Sequence, residues 1–121
     1  MAHILIVDDS PTDVRVLRGM LEKAGHVVSS ASSAEEGISK ARNESPDLIL
    51  MDVIMPGMNG FQATRTLSRD EQTSAIPVVF VTTKNMETDR VWGLRQGAKG
   101  FVTKPVREAD LLERVQSLVQ S

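Results

Sequence analysis

The sequence predicts an α/β domain: a doubly wound, five-stranded parallel sheet carrying five helices. Short apolar runs alternate with amphipathic segments five times along the chain. The runs are continuously apolar instead of alternating residue by residue, as strands covered on both faces must be. The chain of 121 residues fits one domain of ordinary size, able to bury roughly two-thirds of its unfolded surface.

Each element has its own signals. Ile4-Leu5-Ile6-Val7 is a buried strand. Ser10 then caps a helix with Pro11 at its first position, and Val14, Leu17 and Leu21 follow at helical spacing until Gly25 stops it. Val27-Val28 begins a second, shorter strand. Ser33-Ala34-Glu35-Glu36 has the spacing of a capping box and opens a helix towards Arg42, closed by Pro46. Leu48-Ile49-Leu50-Met51 is the third strand, followed from Val53 to Gly60 by a loop rich in Gly, Pro and Asn. A helix over 61–67, a strand over 76–81, a helix over 86–96 stopped by Gly97, and a strand over 101–103 come next. The last helix begins near Glu108 and sets Leu111, Leu112, Val115, Leu118 and Val119 on one face. Crossovers between parallel strands should be right-handed. The whole of 1–121 is expected to be one domain, with no residues left for an effector.

Composition narrows the function classes. There is no cysteine, so disulfides, thiolate metal sites and cysteine nucleophiles are excluded. The net charge is −2 with both signs mixed, and no basic tract points to nucleic acid or an anionic membrane. The apolar start ends at Asp8-Asp9, too short for a signal peptide or a membrane span. A cytoplasmic protein without membrane insertion is the expectation.

In sheets of this kind ligands bind beyond the carboxyl ends of the strands. Those ends are Asp8-Asp9, Asp52, Thr82-Thr83 and Lys104-Pro105. Three carboxylates in one crevice repel one another unless a cation balances them. The donors on offer are all oxygens, which favours a hard cation, magnesium before calcium. The Lys104 ammonium and the Thr82 hydroxyl then suit oxygens of a tetrahedral anion attached to, or held beside, one of the aspartates. Each residue alone has an ordinary reading: an aspartate as a helix cap, Thr82 as a β-branched strand residue, Lys104 as a solvated charge. Five of them gathered at four strand ends are hard to explain so.

With Val7-Asp8-Asp9-Ser10, the run from Met51 to Gly60, Val81-Thr82-Thr83 and Thr103-Lys104-Pro105, the whole chain resembles the CheY-like receiver domains of bacterial two-component response regulators. The resemblance implies a flavodoxin-like strand order 2-1-3-4-5. It implies Asp52 as phosphoacceptor, with Asp9, Asp52 and the Ile54 carbonyl on magnesium and Asp8 acting through a metal-bound water. Thr82 and Lys104 would contact the phosphoryl group, and Phe101 would be the switch aromatic that turns inward when Thr82 moves. Ile54, Thr83 and Lys84 would tune the switch, Ile54 and Lys84 by flanking the water path and Thr83 by its bulk against the aromatic swing. Phe101 lacks the hydroxyl of the commoner tyrosine.

The implied phosphodonor is a phosphohistidine on a CheA-like histidine kinase. The implied output is a protein contact through the fourth helix, fifth strand and fifth helix. The stretch from Glu87 to Ala98, with that from Asn59 to Arg65, is similar to regulators of type IV pilus twitching motility, the PilH-like group. A downstream motility protein is therefore expected, with simple competition for phosphoryl groups, as a phosphate sink, the alternative.

Other readings are weaker. Trp92, beside Val91 and Leu94, is expected in core or half-buried packing, with a partner anchor as its alternative. Met51, Met55 and Met58 are expected to pack. An aspartate-nucleophile phosphohydrolase would need an acid at position 54, which is Ile54. A flavin carrier would need aromatic walls, and the chain has no tyrosine. A phosphorylation-independent module would leave the acidic set unexplained. Turnover on an external substrate is not expected.

Overall fold

The structure, a computed structural model, describes residues 1–83 and 87–119. Its elements follow the order β1 (His3–Val7), α1 (Pro11–Lys23), β2 (Val27–Ala31), α2 (Ala34–Glu44), β3 (Leu48–Met51), α3 (Gly60–Arg69), β4 (Val78–Thr82), α4 (Glu87–Arg95), β5 (Gly100–Thr103) and α5 (Glu108–Val119). The strands form one parallel sheet in the order β2-β1-β3-β4-β5.

Alternate strand residues feed two cores, as the pleat requires. Leu5, Val7, Ile49, Met51 and Phe80 point to one face, under Ile38 of α2 and Leu67 of α3. Ile4, Ile6, Leu48, Leu50 and Val81 point to the other, under Leu17 and Leu21 of α1 and Leu111 and Val115 of α5. Each such side chain contributes about 1.5–3 kcal/mol on leaving water. α4 is the loosest cover: only Gly93 among its residues is buried.

The helix starts follow local chemistry. Ser10 accepts from the backbone N–H of Asp13, with Pro11 at the first position. Gly25 takes φ 93° at the end of α1, which only glycine adopts freely.

Two local expectations need correction. Ser33 does cap α2, but Glu36 turns its carboxylate to the N–H and hydroxyl of Ser32, so no reciprocal box forms there. The reciprocal box is at α3, between Asn59 and Gln62. β2 is not short: its five residues match β1, because Ser29 and Ser30 continue the ladder despite their polarity. β2 is an edge strand, so serine is tolerated there. Its outward carbonyls are taken up by side chains, Val28 accepting from Arg18 at 3.0 Å and Ser30 from Lys40 at 2.5 Å.

Candidate functional site

Strand register brings the predicted residues to one rim. Val7 pairs with Met51, Met51 with Phe80, and Thr82 with Thr103. The residues just beyond are therefore level: Asp8 and Asp9, Asp52, and Lys104. Backbone bonds continue past the ladders, from Asp52 N–H to Val7 O, from Asp8 N–H to Ala31 O and from Lys104 N–H to Thr82 O, each 2.9–3.0 Å. The site residues are thus fixed by the sheet itself. The Lys104–Pro105 peptide bond is cis.

Carboxylate oxygens of Asp8, Asp9 and Asp52 lie within 4.8 Å of one another. Asp8 and Asp52 are buried and Asp9 faces solvent. The two buried carboxylates are held by neighbouring N–H groups: Asp8 accepts from Ser10 and Asp52 from Val53, at 2.9 and 2.8 Å. Lys104, only 12% exposed, supplies the counter-charge, its Nζ standing 2.8 Å from Asp8, 2.7 Å from Asp13 and 3.4 Å from Asp52.

Burial pushes the Asp8 carboxyl above the usual carboxylate range, against the opposing pull of its bond to Lys104. Burial by itself would lower the Lys104 ammonium, but its bonds to Asp13 and Asp8 and the charge of Asp52 outweigh this and raise it. Lys104 therefore stays charged through the neutral range, and ionising Asp8 costs the fold some stability.

The other predicted positions divide. Thr82 is fully buried at the end of β4. Phe101 is turned inward and nearly buried, its ring centroid 5.1 Å from that of Phe80, which in turn meets Phe61 edge-on at 5.2 Å. Ile54 is 57% exposed, and Thr83 is exposed. Lys84 lies outside the described residues. Met51 and Met55 are buried, and Met58 packs against the same core. Trp92 does not join the core: with 48% of its surface exposed, beside exposed Val91 and Leu94, it belongs to the open side of α4.

Two functional positions escaped the sequence reading. Asp13, in the first turn of α1, is the nearest partner of Lys104. Gly93 lies against the Phe101 and Phe80 rings so closely that a side chain there would collide with both. The lone glycine inside an otherwise helical run was the available signal.

The response regulator receiver domain family matches residues 4–116. The chain belongs to this family of receiver domains. The receiver is 57% identical over 119 residues to the protein PilH of Pseudomonas aeruginosa, covering 98% of each chain. It is 42% identical to the response regulator PleD of Caulobacter vibrioides, of which it spans 26%. Among solved structures it resembles the chemotaxis protein CheY4 of Vibrio cholerae, with a TM-score of 0.92, 31% identity and 98% of both chains covered. It is thus a signalling receiver, not a turnover enzyme, and the family implies a sensor kinase as phosphodonor and a target downstream. Receivers bind magnesium at an acidic pocket, and the all-oxygen donor set of Asp8, Asp9 and Asp52 fits that ion. Among the described residues no helix is long and apolar enough to cross a membrane.

Proposed function

We propose that this receiver takes a phosphoryl group on Asp52 from a phosphohistidine of a CheA-like kinase and hands the signal to a cytoplasmic motility protein. The observation that carries the reading is the placement of Asp52: a buried carboxylate clustered with Asp8 and Asp9 and facing the Lys104 ammonium at 3.4 Å. Asp9, Asp52 and the Ile54 carbonyl would hold magnesium directly, and Asp8 through water. When bound, the ion supplies the positive charge that lets three carboxylates and a phosphoryl group share one crevice.

The chain's own residues do the rest. An Asp52 oxygen attacks phosphorus in line as the bond from phosphorus to the donor imidazole breaks, its electron pair returning to the ring. Lys104 neutralises a phosphoryl oxygen and Thr82 donates its hydroxyl to another. Exposed Ile54 limits the approach of water to the acyl phosphate, with Thr83 and Lys84 as the other tuning positions.

Output follows the aromatic column. Phe101 borders a depression of about 660 Å³ between α4, β5 and α5, also lined by Lys104, Arg90 and Arg114. A change at Thr82 and Lys104 therefore meets the face that a partner would read, and a partner that prefers one packing shifts the equilibrium. Likeness to PilH, and the resemblance to the twitching-motility group, support a target in pilus control.

Intact mass after incubation with acetyl phosphate and magnesium tests the reading. The wild type should gain one phosphoryl group and Asp52→Ala none. A gain retained in Asp52→Ala would remove Asp52 from the chemistry, and a gain undiminished without magnesium would remove the metal.

A further inference from the structure

The Lys104 ammonium has three protons and meets three carboxylate oxygens, those of Asp13, Asp8 and Asp52. It has no donor to spare. A phosphoryl oxygen arriving on Asp52 can be bonded by Lys104 only if one of these partners lets go. The three are not equal. Asp8 is 2% exposed and tied to the Ser10 N–H, and Asp52 is 11% exposed and tied to the Val53 N–H. Asp13 stands apart from the acidic cluster, on the first turn of α1, with 41% of its side chain in solvent and no other partner for its carboxylate among the described residues. Releasing Asp13 returns an accessible carboxylate to water. Releasing either of the others strands a buried charge.

We infer that Asp13 is the resting-state partner of Lys104, a positioning residue that yields its place to the phosphoryl group and so biases the receiver towards its unphosphorylated form. The inference rests on Asp52 being the phosphoacceptor. It is a function of this chain's own sequence, since the charge sits at position 13, four residues past Asp9, and reaches Lys104 only because α1 begins so soon after β1. The pair is partly exposed, so its effect should be a modest factor and not a block.

Beryllofluoride, a stable phosphoryl mimic, provides the test. Its binding in the presence of magnesium is followed by fluorine NMR in the wild type, Asp13→Asn, Lys104→Met and the double variant. Asp13→Asn should bind it about fivefold tighter, the factor expected for losing one partly exposed ion pair. The gain should vanish in the Lys104→Met background, since Asp13 acts through Lys104. Equal tightening in both backgrounds would mean that Asp13 acts only through its field, and the inference would fail. So would no tightening at all.

A second readout needs no metal. The Lys104 ε-methylene signal should move between wild type and Asp13→Asn in the metal-free protein, and should coincide in the two beryllofluoride complexes. An unmoved metal-free signal would overturn the inference even if Lys104→Met bound too weakly to measure. A wild type that took up no beryllofluoride would instead sink the phosphoacceptor reading itself.

Discussion

Gly60→Ala should damage the site through the backbone alone. Gly60 opens α3 and donates its N–H to the Val53 carbonyl at 2.9 Å, folding the loop back onto the strand end that carries Asp52. A Cβ at Gly60 would lie within the contact radius of the Asp52 carbonyl oxygen, and 2.9 Å from both the Asp52 carbonyl carbon and the Val53 Cα. These are main-chain atoms pinned by the sheet, because Asp52 N–H is bonded to Val7. They cannot swing aside as a side-chain tip would. Overpacking of this kind costs about 1–3 kcal/mol, partly offset by the better helix propensity of alanine, worth up to about 1 kcal/mol.

The larger effect is on geometry. If α3 and the strand end part by several tenths of an ångström or more, Asp52 leaves its position against Lys104, and misplacement of about 1 Å can cost on the order of a hundredfold in rate. Urea unfolding gives the stability term and the rate of acetyl phosphate labelling gives the second. A variant with wild-type stability and wild-type labelling would refute the claim that close approach of Gly60 fixes the aspartate.

Two further outcomes follow from the same packing and charge arguments. Gly93→Ala places a methyl 2.6–2.9 Å from ring atoms of Phe101 and Phe80. The Phe101 ring is the less enclosed of the two, so it should be driven outward with about 1–3 kcal/mol lost; aromatic side-chain NMR should show its contacts with Phe80 gone, and an unchanged set would contradict this. Asp8→Asn should stabilise the metal-free protein at neutral pH. The sign follows from the raised Asp8 carboxyl: the folded state holds that proton more tightly than the unfolded chain, so its favourable contribution is present below the ordinary carboxylate pKa and is lost as pH rises through the folded value. The gap between variant and wild type in urea melts should therefore open with rising pH above about 4, the reference value for such carboxyls. Lys104, whose pKa is raised, adds no slope until strongly alkaline pH.

Much of this was legible in the residues because the decisive signals are local. Continuous apolar runs gave the strands, Ser10-Pro11 the start of α1, and the strand-end acids, Thr82 and Lys104 the rim. What escaped depends on distances between segments remote in the chain. Nothing local in Asp13 says that it meets Lys104, ninety-one positions on. Nothing in Gly93 says that it shares space with Phe101. The serines of β2 hid the strand's full length, since an edge strand needs no apolar outer row. At α2, Glu36 had two serines in reach, and spacing alone could not choose between Ser32 and Ser33. Of the core or half-buried packing expected for Trp92 only the second is found, since α4 buries too little of itself to enclose a large ring and leaves it 48% exposed.

The outward carbonyls of β2 carry a consequence for life in a crowded cell. A bare strand margin is a template on which another chain can lay itself down, copy after copy. Here Arg18 reaches over from one layer and Lys40 from the other, and together they occupy the acceptors that an incoming strand would need. On that margin any newcomer meets two fixed positive charges in place of free oxygens, so sheet-to-sheet growth is discouraged there and recognition is left to the helices.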